Sequence, residues 1–159
     1  MMVTRADQRV LGYLGRALSL ELSAVQLYST QAQLVASWGL SEPAKRLRAE
    51  AGEEMTHADR IIARMLALGV APNASQLRPV VLGKSLHELL RYNHGFEQEL
   101  VRLYSEAARY CVRTGDHDDR LFFETLLAEE QAHGQEMAEW LAQLEQPAIH
   151  VNSVEGATF

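Results

Sequence analysis

Apolar and polar residues alternate with the period of an α-helix over four long segments of the chain. In each segment apolar side chains recur every three or four residues, and the positions between them are mostly polar. This period is typical of helices that bury one face and expose the other. The pattern predicts helices over residues 5–37, 41–69, 85–114 and 117–146.

Helix-ending and helix-starting residues lie between these segments. Ser41 is expected to cap the second helix, and Pro43 is tolerated in its first turn. Gly69 is a natural C-terminal cap, and Gly115 separates the third helix from the fourth. Pro147 is expected to end the fourth helix, because proline does not continue one.

The lengths of the connections predict how the helices are arranged. The first and third connections are short, so each joins two antiparallel neighbours, whereas residues 70–84 are long enough to cross the bundle from end to end. Two hairpins joined by one long crossover make a ferritin-like four-helix bundle. We therefore predict an all-α fold with one domain over residues 1–146 and a C-terminal tail over residues 147–159.

Composition agrees with a globular helical protein and excludes some partners. Hydrophobic residues make up 47% of the chain and aromatic residues only 7%. The net charge of −6 argues against a nucleic-acid surface, which is usually basic. No apolar stretch approaches the length needed to cross a membrane, and the amino terminus does not resemble a signal peptide. Because Cys111 is the single cysteine, a reducing, cytoplasmic location is expected.

Carboxylates interrupt the apolar seam of every predicted helix near its middle. On the fourth helix, for example, Glu130 and His133 stand among the apolar residues Phe123, Leu126, Met137, Trp140 and Leu144. Glu21, Glu54 and Glu97 take the same place on the first three helices, and His57 accompanies Glu54. Four carboxylates in one core would repel each other strongly unless cations lie between them. Two divalent ions would neutralise them.

The spacing of these residues supports a site with two metal ions. The interval along the chain from Glu21 to Glu54 is identical to the interval from Glu97 to Glu130. The two hairpins therefore present their carboxylates in the same register. Each Glu-x-x-His motif places its two side chains on one helix face, one turn apart. Two such motifs with two single glutamates are the ligand set of di-iron carboxylate bundles.

Four stretches resemble the bacterioferritin family. They are ELSAVQLY at 21–28, SWGL at 37–40, EEMTHAD at 53–59 and EEQAH at 129–133, and the resemblance covers about residues 8–145. It implies that Glu54 and Glu130 bridge two irons, that Glu21 and His57 complete one iron, and that Glu97 and His133 complete the other. It further implies electron transfer by Tyr28. The alternative for Tyr28 is a core aromatic whose hydroxyl bonds a ligand carboxylate.

The resemblance also implies an activity and an assembly. A bacterioferritin is expected to be a ferroxidase that oxidises Fe²⁺ with dioxygen or hydrogen peroxide and stores ferric mineral in a hollow shell of 24 subunits. A ferredoxin-like reductant would release the iron. The family's short fifth helix is expected to be missing here, because Pro147 and a polar tail replace it. Assembly with a second, different subunit type is a further possibility.

Met55 is the candidate haem ligand. It follows Glu54 directly and is therefore turned about 100° away from the seam, onto the outer surface of the second helix. Its helical neighbours Ala51, Gly52 and Ala58 are small and are expected to form a flat shelf. The resemblance implies haem b shared between two subunits, with one methionine sulfur from each. The alternative is that Met55 packs in a dimer interface.

Other functions fit the same bundle. One is a different di-iron or di-manganese enzyme, such as a rubrerythrin-like peroxidase or a manganese catalase. A single cysteine argues against a rubrerythrin, which carries a cysteine-rich segment. Another is a Dps-like protective shell, whose iron site lies between subunits, whereas here one chain supplies six ligands. The last is a helical assembly module without redox chemistry.

Overall fold

The computed structural model describes residues 6–146, and within that range the chain forms four long helices and no strand. They are α1 (Gln8–Ser37), α2 (Ser41–Ala67), α3 (Leu86–Thr114) and α4 (His117–Glu145). The predicted helices are confirmed, with small differences at their ends. The predicted tail, and with it the expected loss of a fifth helix, lies outside the described residues.

The ends of the helices show which sequence signals acted as predicted. Asp7 caps α1, because its side chain accepts hydrogen bonds from two backbone amides in the first turn. Ser85 caps α3 in the same way, by accepting one such bond. Gly69 and Gly115 adopt positive φ angles where α2 and α3 end, as expected of C-terminal glycines.

The prediction that Ser41 caps α2 is wrong. Ser41 is already the first residue of the helix, and Leu40 takes the cap position without a side-chain hydrogen bond. The cause is Gly39, whose positive φ of 81° turns the chain one residue earlier. The Leu40 carbonyl then accepts the first helical hydrogen bond, from the Ala44 amide.

The helices pack as two hairpins that meet face to face. α1 lies against α2, α3 lies against α4, and α1 also contacts α3. α1 and α3 run antiparallel, because Tyr110 near the end of α3 donates a hydrogen bond to Asp7 at the start of α1. At the opposite end Gln31 and Asn93 exchange two hydrogen bonds of 2.7 Å.

The crossover between α2 and α3 lies along α1. The backbone amides of Gln76 and Arg78 donate hydrogen bonds of 3.0 Å to the hydroxyls of Ser19 and Ser23 on α1. The Arg78 guanidinium also donates two hydrogen bonds to the Glu99 carboxylate on α3. These contacts hold the crossover against the bundle and confirm the predicted connection of the two hairpins.

Two apolar clusters fill the interior, one towards each end of the bundle. The larger cluster contains residues of all four helices, including Leu18, Ile61, Leu100 and Phe123. The smaller one contains Leu47, Leu90 and Trp140, among others. The predicted seams are therefore largely buried. Leu144 is the exception on α4, since it is 41% exposed where the bundle ends.

Candidate metal centre

A layer of buried glutamates separates the two apolar clusters. Each helix contributes one fully buried carboxylate, and α2 and α4 also contribute one histidine each. The glutamates are Glu21, Glu54, Glu97 and Glu130. The structure thus brings all six predicted ligands together in the middle of the bundle, and the four glutamates among them are fully buried.

The six side chains form two overlapping groups of four possible ligands. One group is Glu21, Glu54, His57 and Glu130, and the other is Glu54, Glu97, Glu130 and His133. Within each group the ligand atoms lie within 4.8 Å of one another. Glu54 and Glu130 belong to both groups, so each has the position of a bridging carboxylate between two metal ions.

The two histidines turn the same ring nitrogen towards the carboxylates. Nδ1 of His57 lies 2.8 Å from Oε1 of Glu130, and Nδ1 of His133 lies 3.0 Å from Oε1 of Glu54. Each imidazole therefore contacts the glutamate of the opposite Glu-x-x-His motif. The rings are nearly parallel, with centroids 5.5 Å apart. Nδ1 is consequently the nitrogen available to a metal on both sides.

Four carboxylate oxygens at the centre are buried without a hydrogen-bond partner among the described residues. They are Oε2 of Glu21, Glu54, Glu97 and Glu130. A buried anionic oxygen without a partner is costly in free energy, and in native proteins it usually indicates a missing ion or water. Carboxylate and imidazole ligands suit iron and manganese. The residues present therefore fit a pair of divalent cations.

Burial and the charges of neighbouring side chains shift the pKa values of the residues in this layer. Burial raises the pKa of Glu21 to about 7 and also raises the pKa of Glu130. Burial alone would lower the pKa of His57, but hydrogen bonds and charge interactions with Glu21 and Glu54 raise it to about 10. For His133 the carboxylate of Glu54 likewise outweighs burial and raises the pKa to about 9.

Two buried tyrosines donate hydrogen bonds to the two glutamates that are not part of a Glu-x-x-His motif. The hydroxyl of Tyr28 donates a 2.6 Å hydrogen bond to Oε1 of Glu97, and that of Tyr104 donates one of the same length to Oε1 of Glu21. The hydrogen bond considered for Tyr28 in the sequence is therefore present. Sequence reasoning missed Tyr104, although the interval from Tyr28 to Tyr104 equals the interval from Glu21 to Glu97.

His57 and His133 have equivalent positions in the two hairpins, but the charged residues around them differ. Nε2 of His57 lies 3.1 Å from Glu129, which also pairs with Arg60. Nε2 of His133 lies 2.6 Å from Glu53, the equivalent of Glu129. Sequence reasoning missed the roles of Glu53, Glu129 and Arg60, because a charged residue beside a motif is normally solvated.

Glu50 adds a further carboxylate on the His133 side. It is buried on α2, its Oε2 has no partner among the described residues, and burial raises its pKa to about 7. Glu50, Glu53 and His133 have ligand atoms within 4.8 Å of one another. The position equivalent to Glu50 in the second hairpin is the apolar Leu126. The His133 side of the centre is therefore the more acidic one.

Met55 lies outside this centre, as predicted. It is 38% exposed, whereas Glu54 beside it is fully buried. The expected shelf of three small residues is only partly correct. Gly52 is exposed, but Ala51 and Ala58 are buried in the larger apolar cluster because they face the neighbouring helix of the bundle. The exposed surface next to Met55 is therefore narrower than the sequence indicated.

The fold and the ligand set define a class: four-helix bundles with a carboxylate-rich centre for two metal ions. Comparison with known proteins agrees. A family model for the ferritin-like domain matches residues 11–146. The bacterioferritin of Rhodobacter capsulatus is 39% identical over 129 residues, which are 81% of this chain and 80% of that protein. The bacterioferritin of Brucella melitensis is 33% identical over the same share of each chain.

Structural comparison gives the same relative. A solved structure of Rhodobacter capsulatus bacterioferritin superposes with a TM-score of 0.83 and 36% identity, covering 88% of each chain. That protein has a metal-free dinuclear site and a haem iron in a crystallographic special position. The chain described here belongs to the bacterioferritin family. This membership supports iron storage by a ferritin-like protein. Among the described residues, no helix is long and apolar enough to span a membrane.

Proposed function

We propose that the protein is a ferroxidase whose substrate is Fe²⁺. Two Fe²⁺ ions would bind between Glu54 and Glu130, one completed by Glu21 and His57 and the other by Glu97 and His133. The observation that carries this proposal is the pair of overlapping ligand groups, which share Glu54 and Glu130 and leave a buried oxygen of each glutamate unpartnered.

Charge balance favours two divalent ions at this centre. Four ionised carboxylates carry four negative charges, and two Fe²⁺ ions neutralise them when both histidines are neutral. The four carboxylates are fully buried between the two apolar clusters, so the attraction between ion and carboxylate is stronger than in solvent. Glu53 and Glu129 lie beside Nε2 of the two histidines and favour the tautomer that keeps its proton on Nε2, so Nδ1 is free for the metal.

We further propose that the oxidised iron is stored as ferric mineral in a hollow shell of 24 subunits, with dioxygen or hydrogen peroxide as the oxidant. Support comes from membership in the bacterioferritin family rather than from the single chain. Particle size, measured by light scattering, tests the shell directly. A monomer or dimer that still oxidises iron would favour another di-iron enzyme over a storage protein.

The experiment for the centre is an anaerobic Fe²⁺ titration followed by addition of oxygen. The parent protein is expected to oxidise two irons per subunit in a fast phase. Glu54→Gln keeps the shape of the side chain but removes the shared charge, and it should abolish that phase. Glu136→Gln on the exposed surface of α4 is the matched control for net charge. If Glu54→Gln oxidises iron as fast as this control, the proposed centre is wrong.

Haem binding at Met55 is a separate part of the proposal. The thioether is exposed on α2, and at Gly52, one turn earlier, a side chain would meet no other atom within 4 Å, so the approach is open. A methionine sulfur is an established axial ligand of haem iron. When bound between two subunits, haem would supply a one-electron path to the shell. Protein prepared with haem should show a low-spin absorption band that Met55→Leu removes, and retention of the band would refute this ligand.

A further inference from the structure

Tyr104 is the starting point of a row of aromatic side chains that leads away from the metal centre. Its ring lies 6.4 Å from that of Phe123, measured between centroids. Phe123 lies 6.3 Å from Tyr13, and Tyr13 lies 5.9 Å from Tyr110. Tyr104, Phe123 and Tyr13 are buried, whereas Tyr110 lies near the surface, where α1 begins and α3 ends.

Each tyrosine of this row donates a hydrogen bond to a carboxylate. Tyr104 bonds Glu21 at 2.6 Å, Tyr13 bonds Glu106 at 3.2 Å, and Tyr110 bonds Asp7 at 2.7 Å. A phenol loses its proton when it loses an electron, because the oxidised phenol is a strong acid. Every tyrosine in the row therefore has a proton acceptor in place. The row as a whole joins the candidate centre to the surface.

We propose that Tyr104 donates an electron to the metal centre during dioxygen reduction and that Tyr13 and Tyr110 carry the resulting oxidising equivalent to the surface. This inference rests on the proposed ferroxidase function. It assigns to Tyr104, Tyr13 and Tyr110 a role separate from binding iron.

The electron balance of dioxygen reduction creates the need for such a donor. Reduction of one O₂ to two waters takes four electrons and four protons, and two Fe²⁺ ions supply only two electrons. Tyr104 supplies a third electron, and Tyr28, which bonds Glu97 in the equivalent way, supplies a fourth. The two phenol protons are held on Glu21 and Glu97 until the phenols are reduced again, and all four protons of the two waters come from solvent. Without these electrons, O₂ stops at hydrogen peroxide.

After it has given up an electron and a proton, Tyr104 must recover both to return to its resting state. Tyr13 reduces the Tyr104 radical, which takes its proton back from Glu21, while the Tyr13 proton moves to Glu106. Tyr110 then reduces Tyr13 and gives its own proton to Asp7. Arg9 and Arg113 lie 5.0 and 5.9 Å from the Tyr110 ring and disfavour a cationic radical, so electron and proton leave together. A one-electron reductant in solution, such as Fe²⁺ or ascorbate, finally reduces Tyr110. A further Fe²⁺ ion reduces the Tyr28 radical, which takes its proton back from Glu97.

The first experiment tests electron donation by Tyr104. Protein with more than two Fe²⁺ ions per subunit is mixed with oxygen and frozen rapidly for electron paramagnetic resonance. A Tyr28→Phe background removes the other phenol at the centre, and a further Fe²⁺ ion then supplies the electron that Tyr28 would give. We expect a tyrosyl radical there and its loss in Tyr28→Phe/Tyr104→Phe. Tyr104→Phe alone should release more hydrogen peroxide per O₂ consumed. Tyr92→Phe is the matched control, because Tyr92 lies exposed on the same helix.

The second experiment tests the relay to the surface. Ascorbate should shorten the radical lifetime in the Tyr28→Phe protein, and Tyr13→Phe or Tyr110→Phe should remove most of that effect. An ascorbate effect that is unchanged in both variants would overturn the relay.

A purely structural role for Tyr104 gives a different result. Anaerobic Co²⁺ titration measures whether loss of the hydroxyl disturbs Glu21. If Tyr104→Phe changes Co²⁺ binding but neither the radical nor the peroxide yield, electron donation is refuted. If the parent itself oxidises no iron, the ferroxidase proposal fails instead, so the two failures are distinguishable.

Discussion

Glu53 and Glu129 contact Nε2 of His133 and of His57, but among residues 6–146 only Glu129 pairs with an arginine. Arg60 lies 2.5 Å from Glu129, and at the position equivalent to Arg60 the second hairpin has Glu136. The Glu53 side chain is 54% exposed and lies beside the buried Glu50. The two halves of a nearly symmetric centre therefore differ in charge.

This difference predicts that the two metal ions bind with unequal affinity. The half completed by Glu97 and His133 should fill first, because Glu50 and Glu53 add negative charge there. Glu53→Gln should weaken that step by about tenfold to 100-fold, the usual effect of losing a residue that orients a metal-bound histidine. Anaerobic Co²⁺ titration monitored by absorption would measure both steps.

Arg60→Gln is the complementary variant. It removes the cation that partly neutralises Glu129, so the weaker step should become tighter while the stronger one stays the same. Two identical steps in the parent, or equal effects of both variants on both steps, would contradict the predicted asymmetry.

Metal affinity should rise with pH up to about 10, and most steeply below about pH 7. The raised pKa values of His57, about 10, and His133, about 9, mean that both imidazoles are protonated at neutral pH without metal. A metal ion must displace these two protons. The Glu21 carboxyl, whose pKa is about 7, must also lose its proton before it can bind a metal ion. Zn²⁺ titration in weakly buffered indicator should release protons at pH 7. Binding that is independent of pH, without proton release, would show that the side chains are not protonated in this way.

The unpartnered carboxylates should limit the stability of the metal-free protein. Above about pH 10, where both imidazoles are neutral, Glu97→Gln removes one of the buried charges that repel one another but retains an oxygen that accepts the Tyr28 hydrogen bond. The metal-free variant should then be more stable by about 1–3 kcal/mol, the cost of one unsatisfied buried polar group. Thermal unfolding would show this as a melting temperature higher by about 2–4 °C for each kcal/mol.

Metal binding should reverse that order of stability. Divalent cations are expected to raise the melting temperature of the parent more than that of Glu97→Gln, because only the parent retains all four carboxylates. A variant that is less stable than the parent without metal would contradict the idea of repulsion among the glutamates.

Gln31 and Asn93 form a closed pair whose loss should be costly. Their two hydrogen bonds join α1 to α3 in the buried interior. Gln31→Leu or Asn93→Leu leaves the other amide unsatisfied and should destabilise the protein by about 1–3 kcal/mol. The double variant should lose less unfolding free energy than the two single variants lose together. Urea unfolding of the parent, the two single variants and the double variant measures this. Additive losses would mean that the pair does not act as a unit.

Much of the candidate centre could be predicted because its determinants are local. The helical period places Glu54 and His57 on one face, and the repeated interval between glutamates aligns Glu21 with Glu54 and Glu97 with Glu130. Backbone geometry within a helix dictates the first relation, and the short hairpin connections dictate the second, so neither needs knowledge of packing. The capping of α2 was predicted less well, because it depended on the conformation of Gly39 rather than on the hydroxyl of Ser41.

The sequence by itself determined four amphipathic helices, their connection and the set of buried glutamates and histidines. Only the tertiary structure decided which side chains meet across helices. It paired Tyr104 with Glu21 and placed Arg60 beside Glu129, with no equivalent ion pair for Glu53 in the part of the chain that the structure describes. It also buried Ala51 and Ala58 rather than exposing them beside Met55. The physical reason is that helical periodicity specifies the face on which a residue lies, whereas its partners depend on the rotation and offset of the helix packed against it.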